Sequence, residues 1–374
     1  MTPFTRADTS ILGRWWWTVD RWSLVAIAAL MAFGALLAAA SSPAHAERIG
    51  FDALYFIKRH FMLLPVSVLL ILAISAFTPL QVRRFAVVAF LGSVVLLVAT
   101  LLLAAEVKGA TRWLSLAGFS LQVTEFVKPT FAVVAAWLFS ESAHDPRFPG
   151  RMICTALFAL IIGLVIAQPD LGQAIVISSV WMAQFFLAGL PMWFVVGLIV
   201  LGVSGIVGSY FTLSHVSSRI DRFLDPDSGD TYQIERSIEA FSSGGLFGRG
   251  PGEGQVKTVL PDAHADFVFA VAGEELGLIV TLIIVGLFAF IVLRGMARAM
   301  SEQNLFVLLA VSGLLVQFGI QALINMSSSL QLIPTKGMTL PFISYGGSSL
   351  LGIGIGLGMT LALTRRRLGS EGRI

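Results

Sequence analysis

The chain has 374 residues, of which 56% are hydrophobic and 13% charged, with a formal net charge of +3 and a mean hydropathy of +0.85. Soluble domains carry charge on about a quarter of their residues, so this composition excludes a soluble globular protein and describes a polytopic membrane protein; so small a net charge gives no reason to invoke nucleic acid. The single cysteine, Cys154, excludes an intrachain disulfide and a cysteine-built metal site.

In chain order, a tail containing the Trp15-Trp-Trp-Thr-Val-Asp20 leader comes first. Apolar runs long enough to cross about 30 Å of hydrocarbon follow at 23–40, 61–76, 85–105, 126–140, 152–168, 171–189, 192–211, 267–293, 305–325 and 346–364. Pro129, Pro169 and Pro191 interrupt or border the fourth to sixth of these, where two short runs could form one broken span. The stretch from Ser41 to Ala46 mimics a signal-peptidase site, but the run before it is long enough to span and further runs follow, so it is read as part of a membrane segment. The predicted fold class is an all-α integral membrane protein of about ten transmembrane helices with one large extracytoplasmic loop at about 212–265. A cytoplasmic tail over 1–22, a single membrane domain over 23–364 and a cytoplasmic tail over 365–374 complete the expected organisation.

An even number of spans puts both termini on one side, and Arg14, Arg21, Arg83, Arg84, Arg147, Arg151, Arg294, Arg298 and Arg365 to Arg367 fall there. The bare count of Lys and Arg is nearly even between the two sides, so the clusters at span ends decide, and they place this side in the cytoplasm. Lys108, Arg112, Lys128, Lys257 and Lys336 sit instead among motif-like residues on the outer side.

On that side, Glu125 and Lys128 are i, i+3 at a helix entrance and can face each other across one turn, either as a structural ion pair or as part of a polar site. Asp170 is pinned between two runs by Pro169. In the long loop, Arg219 to Asp225 and Tyr232 to Glu239 carry apolar residues at helical spacing, which predicts short amphipathic helices on the membrane surface. The glycine-rich stretch Gly244 to Lys257 is no Walker loop, because Val256 stands where glycine is required before Lys257-Thr258; it predicts a tight loop that brings backbone close to a ligand or to the bilayer.

The loop ends in Leu260-Pro-Asp-Ala-His-Ala-Asp-Phe267, two carboxylates and an imidazole at the mouth of an apolar helix. If that helix begins by Asp262, Asp262 and Asp266 share a face; if later, Asp266 lies in its first turn, where exposed amides favour an ionised carboxylate. An N-cap aspartate with a solvated neighbour is the alternative. Ionisable residues at a membrane boundary usually face the bundle interior and pair, so Glu125, Lys128, Asp170, Asp266 and Lys336, with His264, are expected to share one polar cavity, with Arg112 at its rim.

These blocks together resemble the SEDS family of bacterial cell-envelope proteins, the FtsW/RodA/SpoVE group, over about 22–366. Lys108-Gly-Ala-x-Arg-Trp113, Gln122-x-x-Glu-x-x-Lys128, Gln168-Pro-Asp-Leu-Gly172, Leu260-Pro-x-Ala-His-x-Asp-Phe267 and the stretch from Asn325 through Pro334 to Ser349 carry the likeness in order. Ala265, Thr124 and Gln331 stand where the family usually has Thr, Ser and Gly, and none of these changes removes an ionisable group. The Lys-Gly-Met-Thr-Leu-Pro form after Pro334 and the tryptophan leader look more like the division branch than the elongation branch.

The resemblance implies a glycosyltransferase that polymerises lipid II in the bacterial inner membrane at the division septum. It further implies work beside an FtsI-like class B penicillin-binding protein and other divisome proteins. Asp266 matches the family's catalytic Asp and is the expected general base; Arg112, Lys128 and Lys336 are candidates for the pyrophosphate. A divalent cation, Mg²⁺ or Mn²⁺, is expected, with Glu125, Asp170 and Asp266 as possible ligands, and no nucleotide. The glycines of the last run, Gly346, Gly347, Gly352, Gly354, Gly356 and Gly358, either accept a partner helix or pack internally. A lipid II flippase and a non-catalytic division scaffold remain the alternatives.

Overall fold

The computed structural model describes residues 10–104, 111–116, 119–189, 192–212, 217, 220–221, 232–334 and 337–366. Every apolar run lies on a helix. In chain order these are α1 (Ile11–Thr18), α2 (Arg21–Arg48), α3 (Tyr55–Ser75), α4 (Pro79–Leu103), α5 (Thr124–His144), α6 (Gly150–Ala167), α7 (Leu171–Leu187) and α8 (Met192–Thr212). They continue with α9 (Tyr232–Gly244), α10 (Val256–Val259), α11 (Val268–Met300), α12 (Leu305–Ser329) and α13 (Gly347–Leu363). A small antiparallel hairpin, β1 (Leu114–Leu116) with β2 (Phe119–Leu121), pairs Leu114 with Leu121 just before α5. Among the described residues α2, α3, α4, α6, α11 and α12 are long and apolar enough to cross a membrane, and α7 and α13 are apolar but shorter.

Helix starts follow local chemistry. Thr78 and Gln81 form a reciprocal capping box around Pro79 at the first turn of α4. Asn304 caps α12 through Val307 N at 3.3 Å, and Asp170 caps α7 through Gln173 N at 3.4 Å. At the centre stands α5, buried along most of its length and packed by α4, α7, α12 and α13. It carries Glu125 and Lys128, charges that lipid could not solvate.

The glycine face of α13 is internal. A Cβ at Gly352 would strike the Glu125 carbonyl, one at Gly354 would lie 2.5 Å from Ser67 Oγ, and one at Gly358 would lie 3.0 Å from Ile74 Cβ. Of the two expectations for these glycines, packing against α3 and α5 is the one realised, and the partner-helix surface is not.

The first and last described segments meet on one face. Arg366 N donates to Thr18 O at 3.1 Å and Arg365 Nε to Thr18 Oγ1 at 3.0 Å. Asp20, buried at the start of α2, accepts from Arg294 Nε at 2.7 Å and Nη2 at 3.0 Å, with Arg298 at 3.2 Å and Ser23 Oγ at 2.8 Å. From residue 10 onward the expected N-terminal tail is therefore folded onto the bundle. Burial alone would raise the Asp20 pKa, but the hydrogen bonds from Arg294 and Ser23 and the two guanidinium charges outweigh it, and the carboxyl is held below its ordinary value. A carboxylate depressed on folding contributes stability above its unfolded pKa and loses it as pH falls through the folded value. Wild type is thus expected to lose more thermal stability than Asp20→Asn as pH is lowered from 6 toward about 3, measured by melting in detergent.

The two amphipathic segments expected in the outer loop differ in how far they can be followed. Most of the segment from Arg219 to Asp225 lies outside the described residues. The second amphipathic segment forms α9, which docks on the bundle through Ser237, whose Oγ donates to Ser329 O at 2.7 Å, and through Phe241, whose ring lies 5.5 Å from that of Phe269 on α11, while Tyr232 and Ile238 stay exposed.

The glycine-rich stretch then docks on a break in α11, where Gly277 leaves helical geometry at φ 77°, ψ 176°. Backbone groups freed by the break are satisfied by the loop: Arg249 N to Glu274 O at 3.0 Å, Gly250 N to Glu275 O at 3.0 Å, and Leu278 N to Gly245 O at 2.9 Å. So the close approach expected of these glycines is to the chain's own backbone. The run at 267–293, read as one uninterrupted span, is two helical pieces. Gly248 has φ +80°, and a Cβ there would hit the Glu275 carbonyl, whereas Gly252 (φ +91°) faces open space. Gly252→Ala is expected to cost about 1–2 kcal/mol for the left-handed backbone. Gly248→Ala adds the clash, so its melting temperature is expected to fall further and its 244–254 loop to open to limited proteolysis.

Candidate active site

The Asp266 segment is not helical. Seven residues of turn, 261–267, precede α11, whose cap is Phe267, so Asp266 stands before the helix rather than within its first turn or on a face shared with Asp262. Asp262 adopts φ 51°, and its carbonyl accepts from Ala265 N and Asp266 N, both at 3.0 Å, which closes the turn.

Three successive carbonyls of this turn are then held by other segments. Tyr345 N donates to His264 O at 2.9 Å, Ser344 Oγ to Ala265 O at 2.5 Å, and Asn325 Nδ2 to Asp266 O at 3.0 Å. Asp266 itself remains partly exposed, and a Cβ at Gly337 (φ +59°) would sit 3.3 Å from its Oδ2. A fixed backbone holds this partly exposed aspartate in one place, which is what a positioned proton acceptor would need.

Glu125 and Lys128 meet as the spacing predicts, at 2.8 Å. Lys128 also donates to Gln321 Oε1 at 2.7 Å, and Glu125 Oε1 also accepts from Gln173 Nε2 at 2.8 Å. Both are about 1% exposed. The expectation that Lys128 lines an open cavity and touches phosphate is corrected: its ammonium is enclosed by its own partners, because a buried charge is tolerable only when paired and bonded.

Arg112 lies 3.8 Å from Asp170 and donates to the Gln168 carbonyl at 3.4 Å and to the Pro169 carbonyl. A quarter of the Arg112 side chain stays exposed. Asp170 is buried, and that burial, only partly offset by Arg112, raises its pKa above the ordinary carboxylate value.

His264 is not part of the polar set. Its ring packs 4.1 Å from that of His45 and 4.8 Å from that of Phe56, and burial, then the nearby His45, brings its pKa down to about 3, so it is a neutral member of an aromatic cluster. Lys108 and Lys336 lie outside the described residues.

Two sets of residues escaped the sequence reading. Glu274 and Glu275 sit just before the α11 break, both buried. The Glu274 carboxylate accepts from Gln255 N, Val256 N and Lys257 N at 2.7–2.9 Å, and Glu275 pairs with Lys257. Two acids inside an apolar run were a readable signal. The second set is Gln317, Gln321 and Asn325 on α12, a polar stripe at i, i+4, i+8 in an otherwise apolar helix. Gln321 Nε2 reaches Thr339 O at 3.2 Å, and Asn325 Nδ2 reaches Met338 O at 2.6 Å.

Comparison with known proteins agrees with this architecture. The profile of the FtsW/RodA/SpoVE family, described as cell cycle protein, matches residues 21–368. The chain is 46% identical over 370 residues to a protein of Caulobacter vibrioides named probable peptidoglycan glycosyltransferase FtsW, covering 99% of this chain and 95% of that one. A Coxiella burnetii protein of the same name is 35% identical over 364 residues, covering 93% and 96%. Among solved structures, one described as the structural coordination of polymerization and crosslinking by a peptidoglycan synthase complex superposes with TM-score 0.77 at 26% identity, covering 92% of this chain and 97% of that one. The rod shape determining protein RodA of Thermus thermophilus superposes with TM-score 0.68 at 25% identity, covering 93% and 97%. Its helices and its relatives make this a multi-pass bacterial membrane protein. With its profile match running almost end to end, the chain belongs to the FtsW/RodA/SpoVE family of cell cycle proteins.

Proposed function

We propose that the chain is a peptidoglycan glycosyltransferase that polymerises lipid II into glycan strands during cell division, with Asp266 as general base and undecaprenyl pyrophosphate as leaving group. The observation that carries this is the three-carbonyl clamp that holds the partly exposed Asp266. The donor sugar is already activated as a pyrophosphate, so no nucleotide is needed. Asp266 takes the proton of the acceptor hydroxyl, that oxygen bonds to the donor's anomeric carbon, and the carbon–oxygen bond to pyrophosphate breaks. Direct displacement assisted by one carboxylate inverts the anomeric centre.

Arg112, partly open at the rim, and Lys336, assigned by resemblance, are the cations proposed for the pyrophosphate. Lys128 supports the site from behind. Glu125 and Asp170 do not fit the role of metal ligands, since each faces a cation. No group of three or more His, Cys, Asp or Glu side chains that could hold a metal lies together among the described residues. No step above passes through a metal.

The polymerase is proposed to act in the inner membrane at the septum, with both termini in the cytoplasm, beside a class B penicillin-binding protein. The relative solved as a synthase complex supports such a partner. Purified protein given labelled lipid II with that partner and Mg²⁺ or Mn²⁺ tests the proposal. Glycan strands are the expected product. Lipid movement in vesicles without strands under any condition would establish the flippase instead, and neither activity would leave the scaffold.

A further inference from the structure

Gln321 and Asn325 are one helical turn apart on α12, and the turn separates two bonds that end on the same extended stretch. Gln321 accepts from Lys128 Nζ at 2.7 Å and donates to Thr339 O at 3.2 Å, with Thr339 Oγ1 at 3.3 Å. Asn325 donates to Met338 O at 2.6 Å and to Asp266 O at 3.0 Å. The stretch also contains Gly337, which lies against the Asp266 carboxylate. Buried polar side chains cost stability unless bonded, and Gln321, 1% exposed, is bonded at both ends of its amide.

We propose that Gln321 is a positioning residue for glycosyl transfer: it couples the buried Lys128 to the 337–339 stretch that packs on Asp266, and so fixes where the base stands relative to the charged pair. The proposal rests on the assignment of Asp266 as base. A carboxamide suits the task because it accepts from an ammonium and donates to a carbonyl at once. A carboxylate only accepts, and an apolar side chain does neither. Lys128 then acts without touching substrate. Its charge is held within the bonded network, and its geometry reaches Asp266 through Gln321, the 338–339 backbone and Asn325.

The substitutions separate these functions. Gln321→Glu keeps the acceptor for Lys128 but loses the donor to Thr339 and adds a negative charge near the base. Its kcat is expected to fall roughly 10- to 100-fold, as for a slight misplacement of a catalytic group, while KM for lipid II changes less than about threefold. The acid limb of its pH–rate profile is expected to move upward, because the new carboxylate disfavours ionisation of Asp266. Thr339→Val, similar in shape, loses the hydroxyl at the far end and is expected to lower kcat with KM unchanged. It supplies the answer if the Gln321 variant does not fold.

Both variants are made in the full chain and assayed with the transpeptidase partner, with activity expressed per folded molecule by size-exclusion in detergent. Wild-type kcat and an unmoved acid limb in folded Gln321→Glu would overturn the proposal. So would losses that vanish once activity is expressed per folded molecule. Asp266→Asn in the same assay separates the two ideas. Full activity in that variant would remove the base assignment itself, whereas an inactive Asp266→Asn beside fully active Gln321→Glu and Thr339→Val would remove only the role of Gln321.

Discussion

Asp266→Asn is expected to lower lipid II polymerisation by roughly 100- to 10,000-fold, the range a positioned general base contributes, while the protein folds and melts as wild type. The asparagine has nearly the same shape, and the clamp on this turn acts on carbonyls of the backbone, so those three bonds do not depend on the carboxylate. Asp266→Ala is expected to behave alike. Asp262→Ala should be milder, since the contribution of Asp262 to the turn is its backbone carbonyl at a left-handed φ of 51°. Steady-state assays with labelled lipid II, alongside melting curves, check all three. Wild-type turnover in Asp266→Asn would show that another group takes the proton.

Lys128→Met is expected to cripple folding as well as activity. It leaves the Glu125 carboxylate, 2% exposed, without its ammonium partner at 2.8 Å, and stranding one member of a buried pair costs about 3–5 kcal/mol. Glu125→Gln strands the lysine in the same way. Combining them removes both charges, so Glu125→Gln with Lys128→Met is expected to recover much of the folded yield. Polymerisation is not expected to recover, because the neutral pair no longer anchors Gln321 and Gln173 as the charged one does. Folded yield in detergent and glycan synthesis are the two readouts. A double variant as unstable as either single one would mean that the pair is not the unit that matters.

Hydropathy made the helices legible because each run must cover a bilayer's thickness with apolar side chains, and all the runs expected from 23–40 to 346–364 lie on helices. The Glu125–Lys128 pair was equally legible, since helical spacing alone brings i and i+3 together. What spacing could not supply was depth. A lysine at a predicted helix entrance looks available to phosphate, and only the packing of α7, α12 and α13 around α5 encloses it. The α11 break was hidden for a related reason: Gly277 inside an apolar run reads as helix unless the loop that satisfies its neighbours is known to dock there. Glu274, Glu275 and the Gln317–Gln321–Asn325 stripe, by contrast, broke the apolar pattern openly and could have been found.

The close contact of Gly352 with α5 bears on how substitution tolerance across this chain should be interpreted. Any side chain at 352 pushes on the Glu125 carbonyl, so its effect is delivered to the ion pair and through Gln321 to the Asp266 turn. A saturation survey of the whole chain would then score Gly352 beside Asp266, though 352 has no functional group and lies in the interior. Intolerance at Gly352 is therefore expected to report on the geometry of the Glu125–Lys128 pair behind the proposed base rather than on a binding surface, and a loss-of-function allele found there would act indirectly.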